Sequence, residues 1–256
     1  MKNIKSNTIL FVLILADFCY SQCGWVCTYP YPTTNDLYSV SYINENTAIA
    51  VGRLGTILLT TNGGVRWSNK LSCTKDSLNQ IIFTDQNTGY VGGTEGSIPS
   101  KGIIYKTTDR GNNWVRIVAA ENFNIECIFF LNSQIGFAGG KGSYGNLLQT
   151  TNGGINWSIL NSNDINVESI FFSNNSTGYI IGSKGDSAKI YKTTNSGNYW
   201  NPLISLSYTK FYAMHFVNDS TGLISGRTGY NTSLLLKTTS SGINWNYIYG
   251  QNYMYS

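Results

Sequence analysis

TTNGGVRW, residues 60–67, is the stretch whose reading decides the fold, because it returns four more times. TTDRGNNW ends at Trp114, TTNGGINW at Trp157, TTNSGNYW at Trp200 and TTSSGINW at Trp245. The tryptophans stand 47, 43, 43 and 45 residues apart, which is the length of one four-stranded propeller blade and longer than a leucine-rich or tetratricopeptide unit. Each copy reads as a tight hairpin. Thr and Asn or Asp side chains can bond the turn's own N–H groups, Gly supplies positive φ, and the Trp opens the next strand as a large apolar anchor.

Upstream of each hairpin lies a second recurring segment: residues 39–52, 80–93, 127–140, 169–182 and 213–226. Each is two strands and a polar turn. An aromatic (Tyr42, Phe83, Phe130, Phe172 or Phe216) leads into the turn, and a small-residue strand then ends on Gly52, Gly93, Gly140, Gly182 or Gly226. Four of the turns carry a glycine, Gly89, Gly136, Gly178 and Gly222, whereas the first has Ala48. The small residues are expected where blades converge on a crowded axis. A third strand passes through Ile57, Ile104, Leu147, Ile190 or Leu235 into the hairpin. The expected fold is therefore all-β, a β-propeller of four-stranded antiparallel blades in five repeats, about 37–71, 79–119, 125–161, 167–204 and 211–250. An orphan strand at 25–29, beginning at Trp25, resembles the fourth strand of a repeat without its first three. It leaves three closures open: a five-blade ring with an extra outer strand, a shortened relative of a larger propeller, or a ring that needs a partner. Five blades is the expectation.

Composition agrees. Only 12% of the 256 residues are charged, 27 are Gly, and no long stretch shows a helical period. At the N-terminus Lys2 and Lys5 precede the apolar run Ile9 to Ala16, which reads as a secretory signal over residues 1–21 and is too short to span a membrane. The expected product is a single domain over 22–256, secreted or periplasmic or at the cell surface. Loss of Lys2, Lys5 and Asp17 lowers the net charge from +4 to +3, too mild to point to nucleic acid. Cys23, Cys27, Cys73 and Cys127 would then meet an oxidising compartment, and four cysteines allow three pairings, with Cys23–Cys27 the nearest in sequence.

The pattern Thr-x-Asn/Asp-x-Gly-x-x-Trp resembles the Asp-box, or bacterial-neuraminidase, repeat. The full unit resembles the photosystem II stability and assembly factor family over about residues 25–250. That resemblance implies a propeller whose boxes are folding elements and whose basic patch engages a client protein. Only Asp109 keeps the aspartate; Asn62, Asn152, Asn195 and Ser240 replace it.

Sialidases share this repeat, but the Arg-Ile-Pro strand expected of them is missing, and of the five arginines available for their arginine triad, Arg53, Arg66, Arg110, Arg116 and Arg227, Arg66 and Arg110 lie inside the boxes. Glu95, Glu121, Asp164, Glu168 and Asp186 are the loop acids available to a glycosidase pair, with nothing to single one out. His215 is the single histidine, so no His-rich metal site is expected, and no cofactor is implied. Exposed tyrosines such as Tyr144, Tyr230 and Tyr249 would serve a lectin. The recurring chemical feature is a basic residue after the second strand's last glycine: Arg53, Lys141, Lys184 and Arg227, with Lys101 in the corresponding longer loop. Five blades would set these around one mouth of the channel, where focused positive charge attracts an acidic peptide or a C-terminal tail. The expectation is a non-catalytic scaffold for a protein or peptide partner, with a carbohydrate-active module or a passive surface component as rivals.

Overall fold

The computed structural model describes residues 32–70, 72, 74–96, 100–142, 147–160, 165–229 and 232–249. The chain divides into two compact units, Met1–Thr34 and Asn35–Ser256, and every strand described below belongs to the second. The leader at 1–21, the strand at 25–29, Cys23, Cys27 and Cys73 lie outside the described residues.

Among the described residues five antiparallel four-stranded sheets follow one another, each with its strands in sequence order. Blade 1 comprises Leu37–Tyr42, Ala48–Gly52, Ile57–Thr60 and Ser68–Lys70; blade 2, Ser77–Phe83, Gly89–Glu95, Lys101–Thr107 and Val115–Glu121. Blade 3 comprises Phe123–Phe130, Gly136–Gly142, Leu147–Thr150 and Ser158–Leu160; blade 4, Asn166–Phe172, Gly178–Lys184, Ser187–Thr193 and Asn201–Ser207. Blade 5 comprises Thr209–Phe216, Gly222–Thr228, Ser233–Thr238 and Asn246–Tyr249. The five-repeat propeller expected from the sequence is the fold observed.

The polar turns build themselves. Between the first and second strands, Asn44, Asp85, Asn132, Asn174 and Asn218 each accept the N–H groups two and three residues on. In the box of blade 1, Thr60 Oγ1 accepts Gly64 N at 3.0 Å while Asn62 Oδ1 accepts Arg66 N at 2.9 Å. The box threonines Thr60, Thr107, Thr150, Thr193 and Thr238 are all buried. The residue after the Asn, Asp or Ser is left-handed in every box, and it is Gly63, Arg110, Gly153, Ser196 or Ser241. Its N–H donates to the neighbouring first turn, at Asn46, Asn87, Gln134, Ser176 or Ser220, over 2.8–3.0 Å. That bond offsets the strain of about 1–2 kcal/mol that a non-glycine residue meets there. Each tryptophan sits just before the fourth strand and does not open it; the strands start at Ser68, Val115, Ser158, Asn201 and Asn246. In blade 2 this leaves Trp114 Nε1 donating to Gly111 O at 3.1 Å while its ring meets Phe83 edge-on.

The repeated glycines have a cause different from a crowded axis. A Cβ on Gly52, Gly93, Gly140, Gly182 or Gly226 would collide with a carbonyl at or next to the start of the first strand, that of Asp36, Ser77, Asn124, Asn166 or Lys210. The first strand bulges beside each of them, so its backbone presses on the second strand. The turn glycines are covered by aromatic rings: a Cβ on Gly136 would lie 2.7 Å from Phe130. In blade 1 the methyl of Ala48 fills that seat, and Tyr42 points outward instead.

The core lies between blades. Four apolar clusters join blade 1 to 2, 2 to 3, 3 to 4 and 4 to 5. Two junctions add a polar clasp. Tyr90 Oη and Lys106 Nζ both donate to Gly153 O, at 2.8 and 2.7 Å; Tyr179 Oη and Lys192 Nζ both donate to Ser241 O, at 2.8 and 2.9 Å. Burial pushes both phenols up to about 12, so they remain protonated donors.

Boxes and first turns thus occupy one rim. Hairpins between the second and third strands meet the blade-to-blade connections at the opposite rim, where Gly55 N donates to Asp76 O and Asn122 N to Ser100 O.

Candidate functional site

A cleft of about 520 Å³ opens on the rim away from the boxes, across blades 3, 4 and 5. Its wall includes Lys141, Glu168, Asp186, Tyr208, Lys210 and Arg227. The second strands of blades 2 to 5 run past their glycine, so Lys141, Lys184 and Arg227 stand on strands and not on loop tips as expected from the sequence. Asp186 sits in the tight turn between Lys184 and Ser187, and Tyr208 and Lys210 enter from the start of blade 5.

Bulges aim the acids. The extra residue of the first strand, with no partner in the second, is Tyr38, Asn79, Glu126, Glu168 or Tyr212. An unpaired residue is free to turn its side chain out of the pleat. Glu126 and Glu168, from adjacent blades, converge on Lys141 Nζ at 3.3 and 3.5 Å. Burial opposes the charge on Lys141, yet the two carboxylates outweigh it and hold the ammonium above its ordinary value. Tyr212, the corresponding bulge residue of blade 5, lies under the Lys210 ammonium at 5.7 Å. The cleft wall therefore presents cations and Tyr208 beside the Glu168 carboxylate, which Lys141 joins to Glu126 of the neighbouring blade.

Of the five basic residues expected to ring the mouth, the structure brings Lys141 and Arg227 into one cleft, with Lys184 between the lining residues Ser183 and Gly185. Arg53 and Lys101 stand on blades 1 and 2, outside the cleft wall. Arg53 pairs with Asp36 at 3.8 Å and Lys101 with Glu121 at 3.4 Å. The rim alternates in charge where the sequence pointed to a positive ring. Glu95 is taken by Arg116. Asp164, Tyr144 and Tyr230 lie outside the described residues. His215 is exposed and meets the Phe171 ring edge-on at 5.1 Å. Cys127 is a free thiol, buried in the junction of blades 3 and 4, and burial pushes its ionisation far up. Among the described residues no three His, Cys, Asp or Glu side chains gather as metal ligands. Sequence reasoning missed Lys210, Tyr208 and Glu126. The bulge position immediately before each Ser39, Gln80 or Cys127 equivalent carries no motif of its own.

Fold and site together define a β-propeller of Asp-box blades with a charged, one-sided cleft. The family model described as photosynthesis system II assembly factor YCF48 matches residues 22–166, and the chain belongs to that family. No curated protein matches the chain. Among solved structures, YCF48 from Cyanidioschyzon merolae aligns with a TM-score of 0.51 at 16% identity, covering 86% of this chain and 87% of that one. A structure of YCF48 bound to D1 peptide aligns with a TM-score of 0.47 at 18% identity, covering 88% of each chain. The GH74 enzyme of Niastella koreensis aligns with a TM-score of 0.66 at 19% identity, covering 84% of this chain but 37% of its own. These likenesses speak to fold alone.

Proposed function

We propose that this chain is an exported, non-catalytic binding module that seats an acidic or carboxylate-terminated segment of a protein partner in the cleft between blades 3 and 5. The observation that carries it is the cleft wall, where Lys141, Lys210 and Arg227 are gathered beside Tyr208 on a propeller of an assembly-factor family. A relative in that family was solved with a peptide bound, which makes peptide the first partner class to test. Strong acceptors favour such a wall because charge-assisted hydrogen bonds are about twice as strong as neutral ones. Export rests on the leader read from residues 1–21. Among the described residues no helix is long and apolar enough to cross a membrane.

The test is capture from the exported fraction of the native host with the wild-type chain and with a Lys210→Ser/Arg227→Ser variant. The expected result is one partner recovered by wild type and lost from the variant; equal recovery removes the cleft as the site. A second reading is favoured by one observation, that Glu168 and Asp186 share the cleft wall as a glycosidase pair would. Turnover of any member of a glycoside panel, abolished by Asp186→Asn, would replace the binding-module reading with that one.

A further inference from the structure

Among the described residues, blades 1 and 5 each carry an exposed face whose counterparts are buried at every internal junction. At each internal junction, a second-strand residue of one blade lies against the first strand of the next. The donors of this contact, Ile49, Tyr90, Phe137 and Tyr179, are at most 1% exposed, whereas Leu223 at the same repeat position of blade 5 is 37% exposed. On the receiving side, Leu78, Ile125, Val167 and Phe211 are at most 1% exposed, while Leu37 of blade 1 is 46% exposed. Ile81, Ile128, Ile170 and Met214 are at most 7% exposed, while Val40 is 52% exposed. Four junctions thus act as internal controls, because apolar residues at the same repeat positions differ in whether a blade faces them.

The polar clasp repeats the pattern. Lys106 and Lys192 stand opposite Tyr90 and Tyr179 on the adjoining strand, and each donates to the left-handed residue of the next box. Lys237 stands opposite Leu223 in the same way and is exposed. The matching acceptor in blade 1 is the carbonyl of Gly63, the left-handed residue of the first box. Blade 5 therefore presents an apolar residue and a lysine in the register that blade 1 is built to receive.

The geometry points to a second copy of this chain as the occupant: the Leu223–Lys237 face of blade 5 in one copy docks on the Leu37–Val40 face of blade 1 in another. The faces differ, so the contact is head-to-tail, and it leaves one free half at each end of the assembly. Complementarity is supplied by the repeat itself, because each face is homologous to one that is already buried inside the same molecule. Exposed apolar surface of this kind, matched elsewhere on the same molecule, drives association. This inference stands apart from the cleft and from the function proposed for it.

The test is sedimentation of the purified full chain over a wide concentration range, with Val40→Arg and Leu223→Arg variants. Both sites are on exposed surface, and circular dichroism checks that each variant keeps the β fold. Wild type is expected to form concentration-dependent oligomers, and each variant alone to be monomeric. Mixing the two is expected to give a dimer and nothing larger, because the Val40→Arg copy still offers blade 5 and the Leu223→Arg copy still offers blade 1. A wild-type chain that stays monomeric overturns the inference, whether its own blade 5 closes on blade 1 or another protein covers the faces. A mixture that stays monomeric, or a variant that still self-associates, overturns it equally.

Discussion

Gly182→Ala is the substitution that separates close backbone approach from ordinary glycine behaviour. Gly182 ends the second strand of blade 4 beside the Glu168 bulge. A methyl group there would enter the Asn166 carbonyl oxygen and stand 3.2 Å from Val167 Cα. Gly182 is absent from the left-handed residues, so alanine can adopt its backbone conformation. Restricting the unfolded chain would then stabilise the variant by about 0.4–1 kcal/mol if there were room. There is no room, and the obstacle is backbone, which cannot swing aside as a side chain does. The first strand must slide and give up part of its Val167–Gly182 pairing, and overpacking of this kind costs about 1–3 kcal/mol. With one kcal/mol shifting Tm by about 2–4 °C in a domain of this size, the expected loss is roughly 2–12 °C by calorimetry. Gly96 is the control, because a Cβ there meets nothing within 4 Å, and Gly96→Ala is expected to be neutral or slightly stabilising. Equal Tm for Gly182→Ala and wild type would refute the close-approach explanation for all five glycines. The slide would also disturb Glu168, so partner binding at the cleft is expected to fall with stability.

Three further outcomes follow from the turns and junctions. Tyr179→Phe and Lys192→Met each remove one donor to Ser241 O, at a cost of about 0.5–1.5 kcal/mol, and the double variant is expected to cost more than the sum because each single variant keeps a donor for that oxygen and the double variant removes both; strict additivity in denaturant titrations would dissolve the clasp. Asp85 and Asp109 are held below the usual carboxylate range, chiefly by the N–H groups of Asn87 and Asn113. A depressed folded value means their contribution is complete above the unfolded value near 3.8 and is lost as pH falls through the folded one, so Tm is expected to be flat from neutral to mildly acidic pH and to fall below about pH 4. Asp109→Asn, which copies the residue found at Asn62, Asn152 and Asn195, is expected to keep neutral-pH stability and to blunt the acid limb; an unchanged acid limb would count against the assigned hydrogen bonds.

The sequence exposed the parts of this protein that repeat. Four Trp spacings and five Thr-x-Asn/Asp/Ser hairpins set the blade count, the strand order and the rim on which the boxes lie, because turn chemistry is local and each turn is closed by its own side chains. Glycine positions were equally visible, but their cause was not. Close approach at a bulge depends on the register of the neighbouring strand, which no single repeat displays. The cleft was only half legible for the same reason. Lys141 and Arg227 recur after a glycine and could be found by alignment, whereas Glu126 and Tyr212 occupy bulge positions whose outward aim is a property of strand pairing. The charge balance of the rim also escaped, since Asp36, Glu121 and Glu126 reach their cations from other strands.

Binding of a synthetic acidic peptide with a free C-terminal carboxylate is the direct measurement of the cleft's role. Titration by calorimetry at low and high salt, with wild type and with Lys210→Ser/Arg227→Ser, compares the same folded propeller with and without two of its cleft cations. Saturable wild-type binding that weakens with salt and drops at least tenfold in the variant is the expected result, about 1.4 kcal/mol or more. Binding of equal strength in both proteins, or no dependence on the peptide's carboxylates, would contradict a cleft built for an acidic partner.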